Sequence, residues 1–290
     1  MTKITGTKMS EITANTVVDR NSKILVYNPT KNRTELVSIT DAYKYMIEPS
    51  AAAHNGIYRG KDITDLFYDG TLSKQIAAGT FDDIFVGDYI RGNRYNETYL
   101  VADLDYRYGM GDRECTTHHV LMISDRVMMM AMMNSTDMTE GAYVGSEIYK
   151  TNLAGAKSII QEDFGTSHIL THRNHLQNAV SNGYESGGTW YDSTIELMNE
   201  HMVFGSNIFH NVANGTNIPN NYEIDNSQLA LFRLDCNKII AKDASGNECL
   251  WWLRNACSQY DFACVFETGV CGEINTSAEN VGVRPAFLII

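Results

Sequence analysis

Two short runs decide how this chain is read: Trp251-Trp252-Leu253-Arg254 and Gly282-Val283-Arg284-Pro285-Ala286-Phe287. Each joins bulky apolar residues to an arginine, the composition of a core strand whose charge must find a partner inside. Between them, Asn255 to Val281 mixes Cys, Gln, Tyr, Asp, Glu, Thr and Asn with little pattern. Period-two alternation along Asp261-Phe262-Ala263-Cys264-Val265-Phe266 puts Phe262, Cys264 and Phe266 on one face and Ala263 and Val265 on the other. What irregular residues do between two well-specified strands is the question the rest of the sequence must answer.

The chain of 290 residues is 43% hydrophobic, enough for one large or two modest domains with a real core. Acidic residues outnumber basic ones 35 to 23, a formal charge of −12, and no Lys/Arg block appears, which argues against a nucleic-acid partner. The opening MTKITGTKMSEITANTVV lacks the apolar core of a signal peptide, and no apolar run reaches the ~18 residues of a membrane span. Six cysteines without a signal peptide read as free thiols made in a reducing cytoplasm.

Residues 1–48 read as a small β-rich module. Ser22–Tyr27 and Thr34–Ile39 are β-rich runs joined by the turn formers Asn28 to Asn32, with a short helix expected over Thr40–Met46. A lone hairpin is marginal in water, so a partner chain or a neighbouring domain is expected to cover it. Residues 49–79 read as a linker with short helical pieces at Ile63–Phe67 and Thr71–Ile76. Residues 80–290 read as an α+β domain. Strands are expected at Asp88–Ile90, Thr98–Leu104, His118–Ile123, Gln228–Phe232 and in the closing segment. Helices are expected over Gly145–Phe164 and Thr171–Val180, and Thr189–Met198 reads as a helix or a strand.

Cys115, His118 and His119 with His168, His172 and His175 form the best metal candidate, since thiolate and imidazole are zinc ligands. Adjacent His118 and His119 on a strand point to opposite faces, and no C-x-x-C or H-E-x-x-H supports the group, so structural histidines and no metal are expected. No catalytic residue emerges: Cys115 lacks the surround of a nucleophile, and no phosphate loop, dinucleotide fingerprint or nucleophile elbow is present. No cofactor is expected either.

The stretches Lys8–Thr16, Lys23–Val26 and Thr34–Ile39 resemble the opening of phage virion and tail-fibre proteins, and His54–Lys61, Gly79–Asp83, Gly87–Tyr89 and Cys115–His119 look like phage and prophage proteins of gut bacteria. The ending, Trp252-Leu253-Arg254 with Gly282 to Phe287, is similar to the variable proteins of diversity-generating retroelements. That resemblance implies a C-type-lectin-like C-terminal domain over 80–290, on which a reverse transcriptase rewrites chosen codons to vary a binding surface. Matched to the family pattern, the variable ligand-binding positions are Asn255, Gln259, Tyr260, Asp261, Cys264, Phe266, Glu267, Thr268, Val270, Gly272, Glu273 and Asn275. The implied scaffold is Trp251, Trp252, Arg254, Arg284 and Phe287, with Phe262 in the core. A bulge near Ala263 is then needed to turn Cys264 and Phe266 outward. The family implies a non-enzymatic virion protein, made in the host cytoplasm and binding a bacterial surface receptor, protein or glycan. Other virion proteins are expected partners, and a homo-oligomer, a trimer among the options, is the expected assembly. The alternatives are a non-variable head or tail decoration protein and an enzyme on the same fold, the latter disfavoured for want of a catalytic group.

Overall fold

The computed structural model describes residues 22–39, 42, 49–217, 219 and 225–290. The chain divides into two units, Met1–Glu48 and Pro49–Ile290. Sheets and helices are mixed, with more residues in strand than in helix, an α+β composition.

In the first unit β1 (Lys23–Asn28) pairs antiparallel with β2 (Arg33–Ser38), Lys23 opposite Ser38 and Asn28 opposite Arg33. The connecting turn places Asn32 at φ 46°, a left-handed conformation that Asn tolerates better than most residues. The Asn28 side chain accepts from the Lys31 N–H inside this turn. Leu25, Tyr27 and Leu36 are exposed on the hairpin. The virion-like Lys8–Thr16 stretch lies outside the described residues, as does the helix expected over Thr40–Met46 except for Ala42, which is helical and buried.

In the second unit α1 (Ala51–His54), α2 (Thr64–Tyr68) and α3 (Thr71–Ala78) come first, Ser50 capping α1 by accepting from Ala53 N–H. These segments are not a linker: Phe67, Leu72 and Ile76 are buried in the core. Next come β3 (Tyr89–Arg91), β4 (Thr98–Leu104), β5 (Val120–Ser124) and β6 (Met129–Met130). Then follow α4 (Ala142–Gly145), a π-helical turn over Ile148–Asn152, and α5 (Leu153–Phe164). A long hairpin, β7 (His172–Ser181) and β8 (Tyr184–Ser193), leads to β9 (Ile195–Leu197), α6 (Glu200–Phe204) and α7 (Ala230–Leu234). The remaining strands are β10 (Ala241–Lys242), β11 (Glu248–Cys249), β12 (Trp251–Ala256), β13 (Asp261–Val265), β14 (Cys271–Asn275), β15 (Gly282–Val283) and β16 (Pro285–Ile289).

Two five-stranded sheets organise this unit, in the orders β3-β4-β5-β16-β9 and β14-β13-β12-β15-β6. Their alternating residues sort the core into layers. Tyr99, Val101, Met122, Phe287 and Ile289 face the helices with Phe67, Leu72, Ile76 and Phe164. Leu100, Ala102, Leu121, Ile123, Ala286 and Leu288 turn the other way, onto Trp251, Leu253, Ala263 and Val265 of the second sheet. The far face of that sheet carries Trp252, Phe262 and Cys264 against Tyr143, Leu153, Leu176 and Val281. Both sheets are thus buried on two sides where they meet, which is why their strands read as apolar runs.

Three expected elements come out differently. Thr171–Val180 is strand β7, whose inward residues are His172, Asn174 and Leu176, so polar side chains carry the period of two. Gln228–Phe232 leads into helix α7, since the short buried run Leu229–Phe232 has no periodicity to distinguish the two states. Gly145–Phe164 is helical from Glu147 on, but its first turn, Ile148–Asn152, is π-helical before α5.

The two arginines of the opening motifs are buried by different means. Arg284 is fully buried, donating from Nε to Ser124 O at 2.9 Å and from Nη1 to Lys238 O at 2.8 Å, with the Trp251 ring 5.2 Å from its guanidinium carbon. Burial pushes it down to about 10, which still leaves it charged at neutral pH. Arg254 donates to Leu197 O and meets Asp225 Oδ2 at 2.5 Å, and Arg107 reaches the same oxygen at 2.7 Å. Replacing Asp225 with Ala leaves two buried guanidinium groups without their counter-charge, a loss of about 3–5 kcal/mol. Differential scanning calorimetry of D225A should show Tm lowered on the order of 10 °C; an unchanged Tm would remove Asp225 from the core of the fold.

Candidate functional site

The twelve nominated positions separate into three groups. Gln259, Tyr260, Thr268, Val270 and Glu273 are exposed; Asp261, Phe266, Glu267 and Asn275 are partly buried; Asn255, Cys264 and Gly272 are buried. The exposed residues sit on two turns and the edge strand β14. In the first turn Ser258 Oγ accepts from the Tyr260 and Asp261 N–H groups and donates to Asp261 Oδ2, so Tyr260 is held outward with half its surface exposed. Thr139 anchors the same turn, its hydroxyl on Ser258 O and its N–H on Gln259 O. The tip of the β7–β8 hairpin comes so close that a Cβ on Gly183 would stand 3.2 Å from Ser258 Cα. The neighbouring Tyr184 and Met138 are exposed as well.

In the second turn Phe266 N–H donates to Val270 O and Gly269 N–H to Phe266 O, and Gly269 takes φ 80°. The Phe266 ring covers Gly272, where a Cβ would meet it at 2.0 Å, so position 272 has no room for a side chain while Phe266 stays in place. The bulge expected near Ala263 does not form: β13 pairs with β14 without a break from Asp261 opposite Asn275 to Val265 opposite Cys271. The irregularity lies in β12, between Trp252 and Ala256. Cys264 therefore stays in the core, and burial pushes its thiol up to about 12. As folded, Cys264 offers no surface to a ligand. Asn255 is also withdrawn from the turns, its Oδ1 accepting from Glu200 N–H at 2.8 Å.

Asn255 instead belongs to a second feature, a polar cleft of about 320 Å³. Its walls include His175 and Gln177 of β7, Glu185 of β8, Asn199, His201, Asn207 and His210 around α6, Asp225, and Arg254 of β12. Glu200 fixes one wall. It is fully buried, and its carboxylate accepts from the N–H groups of Ile208, Phe209 and His210 at 2.8, 3.0 and 3.2 Å. The loop bearing Asn207 and His210 is thus tied to α6, and it is tied to β8 by Ala213 N–H donating to Glu185 O. His210 Nε2 lies 2.9 Å from Glu185 Oε2 and 2.6 Å from Gln177 Nε2. His210 Nδ1 and Asp225 Oδ1 are buried with no hydrogen-bond partner among the described residues. Burial holds His175 and His201 below the usual imidazole range.

The cysteine–histidine group of the sequence does not assemble into a metal centre. Among the described residues no three His, Cys, Asp or Glu side chains are gathered to hold an ion. His118 Nδ1 is 2.7 Å from Asp105 Oδ2 with its ring stacked on Tyr108, whereas His119 is buried between Thr117 O on Nδ1 and the Arg107 N–H on Nε2. His172 and His175 share strand β7, three residues apart, which sends them to opposite faces. The cleft went unseen because its residues are scattered from His175 to Asn255 and none follows a motif.

Residues 174–290, from β7 to the last strand, match the model of a domain family of unknown function, DUF6273. The match takes in both turns and the cleft, and covers less than half of the chain. No curated protein and no solved structure matches the chain.

The buried His119 makes a prediction about acid. Burial lowers its pKa from 6.5 to about 4, so between those values the unfolded chain binds a proton that the folded one refuses, and stability falls as pH drops through that window. Asp103 opposes this: burial raises its pKa from 3.8 to about 6, so the folded state gains over part of the same range. H119Q removes one contribution to the acid loss, while those of His172, His175 and His201, also lowered by burial, remain. Melting curves from pH 7 to 4 should therefore show a smaller loss of Tm for H119Q than for the wild-type chain, and equal losses would contradict the assignment.

Proposed function

We propose that this is a phage virion protein with a C-type-lectin-like domain that displays a variable surface for a bacterial surface receptor, as the resemblance of its ending implies. The observation that carries this is the division of labour around β12–β14. Trp251, Trp252, Arg254, Arg284 and Phe287 are buried, whereas Tyr260, Val270, Glu273 and their neighbours on the turns face solvent. Substitution at the turns changes contacts without opening a core cavity. Tyr260 and Phe266 supply the aromatic anchors that dominate most interfaces, and Glu267, Glu273 and Asn275 the polar rim. The exposed Leu25, Tyr27 and Leu36 of the first unit suit an oligomerising or virion-attaching module, and copies joined there would gain by avidity.

Exchanging Tyr260, Asp261, Glu267, Val270 and Glu273 together for other polar or aromatic residues should leave Tm within a few degrees of wild type. Binding of the purified variant to host cells should fall at least about tenfold, the loss of one or two anchors. Unfolding would make these residues core, and unchanged attachment with an intact fold would move the binding face elsewhere.

A further inference from the structure

The polar cleft stands apart from the variable turns and does not depend on the display proposal. We propose that it is a second binding site, taking a neutral, hydroxyl-rich ligand about the size of one sugar ring. Its volume, about 320 Å³, falls at the small end of the range for ligand pockets. Its carboxylates are already engaged: Glu185 accepts from Gln177 Nε2 and lies against His210, and Asp225 is held by Arg254 and Arg107. An anionic ligand would bring only acceptors to two carboxylates and would find Arg254 engaged; an ammonium would bring only donors and a second positive charge beside Arg254. A hydroxyl both donates and accepts, which matches a wall of amides and imidazoles.

Two buried atoms point to an occupant. His210 Nδ1 and Asp225 Oδ1 lack partners among the described residues, although the two side chains are 8% and 0% exposed. Buried polar atoms seldom stay unpaired, and both side chains line the cleft, where a small rotation of either would offer its free atom to a ligand hydroxyl. The site is also preformed, because Glu200 clamps the loop bearing Asn207 and His210 through three backbone N–H groups. Binding therefore requires little ordering of the protein.

Saturation-transfer NMR on the full chain tests this with glucose, galactose, mannose and N-acetylglucosamine, each at about 10 mM so that a millimolar site is filled. At least one should show transfer, about tenfold weaker in H210A and unchanged in Y260A, while glucuronate and glucosamine show none. If H210A does not fold, N207A on the same wall takes its place. Absence of transfer from all four neutral sugars overturns the proposal, as does equal transfer in a folded H210A or N207A, or transfer from the charged sugars as strong as from the neutral ones.

Discussion

The carboxylate of Asp225 is the contact on which the second unit's arrangement turns. Burial alone would raise its pKa, but Arg107 and Arg254 outweigh that and hold it below the usual carboxylate range. Arg107 comes from the loop after β4 and Arg254 from the centre of β12, so one acid ties the first sheet's loop to the second sheet. Its own backbone carbonyl accepts from Asn199 Nδ2, which caps α6. A carboxylate so placed is costly to bury and costlier to remove, since each arginine depends on it. Arg284 lies at the other end of the same strands and uses only carbonyls and aromatic faces, so the two arginines of the opening motifs solve the same problem without sharing a partner.

The frame separates two kinds of surface. The turns at 258–261 and 266–270 are held by local hydrogen bonds and a glycine, so their outward side chains are nearly independent of the layers beneath. The cleft is the reverse case: Asp225 and Arg254 are both wall and core, and Glu200 is wall support and core together. Change at the turns costs little stability, whereas change in the cleft disturbs packing. A surface free to vary and a site constrained in composition can thus share one sheet.

Where apolar residues alternate, the sequence was legible. The hairpin of the first unit, β4 and the closing strands lie where alternation and turn residues put them, and the two faces of β13 carry the residues that period two assigned to them. It was not legible where polar residues do the packing. β7 buries His172 and Asn174, so its period of two is invisible to a hydrophobic pattern, and α7 buries Ala230, Leu231 and Phe232 in succession, a run too short to show a period. The buried Cys264 shows the same limit at the site: a family pattern marks a position but does not say which way an unbulged strand turns it. The cleft depends on residues far apart in the chain, and only the fold brings Gln177, Glu185 and His210 together.

Strand β16 sits inside the first sheet, with Ala286 opposite Ile123 on one side and Glu196 on the other. Strands β3, β4 and β5 leave the ribosome long before it, and until it arrives their sheet has an open apolar edge. Contacts at such separation fold slowly, and a nascent chain with that edge exposed is the form most exposed to aggregation or to capture by a chaperone. The edge that β16 covers is thus the part of this sheet that waits longest for its partner during synthesis.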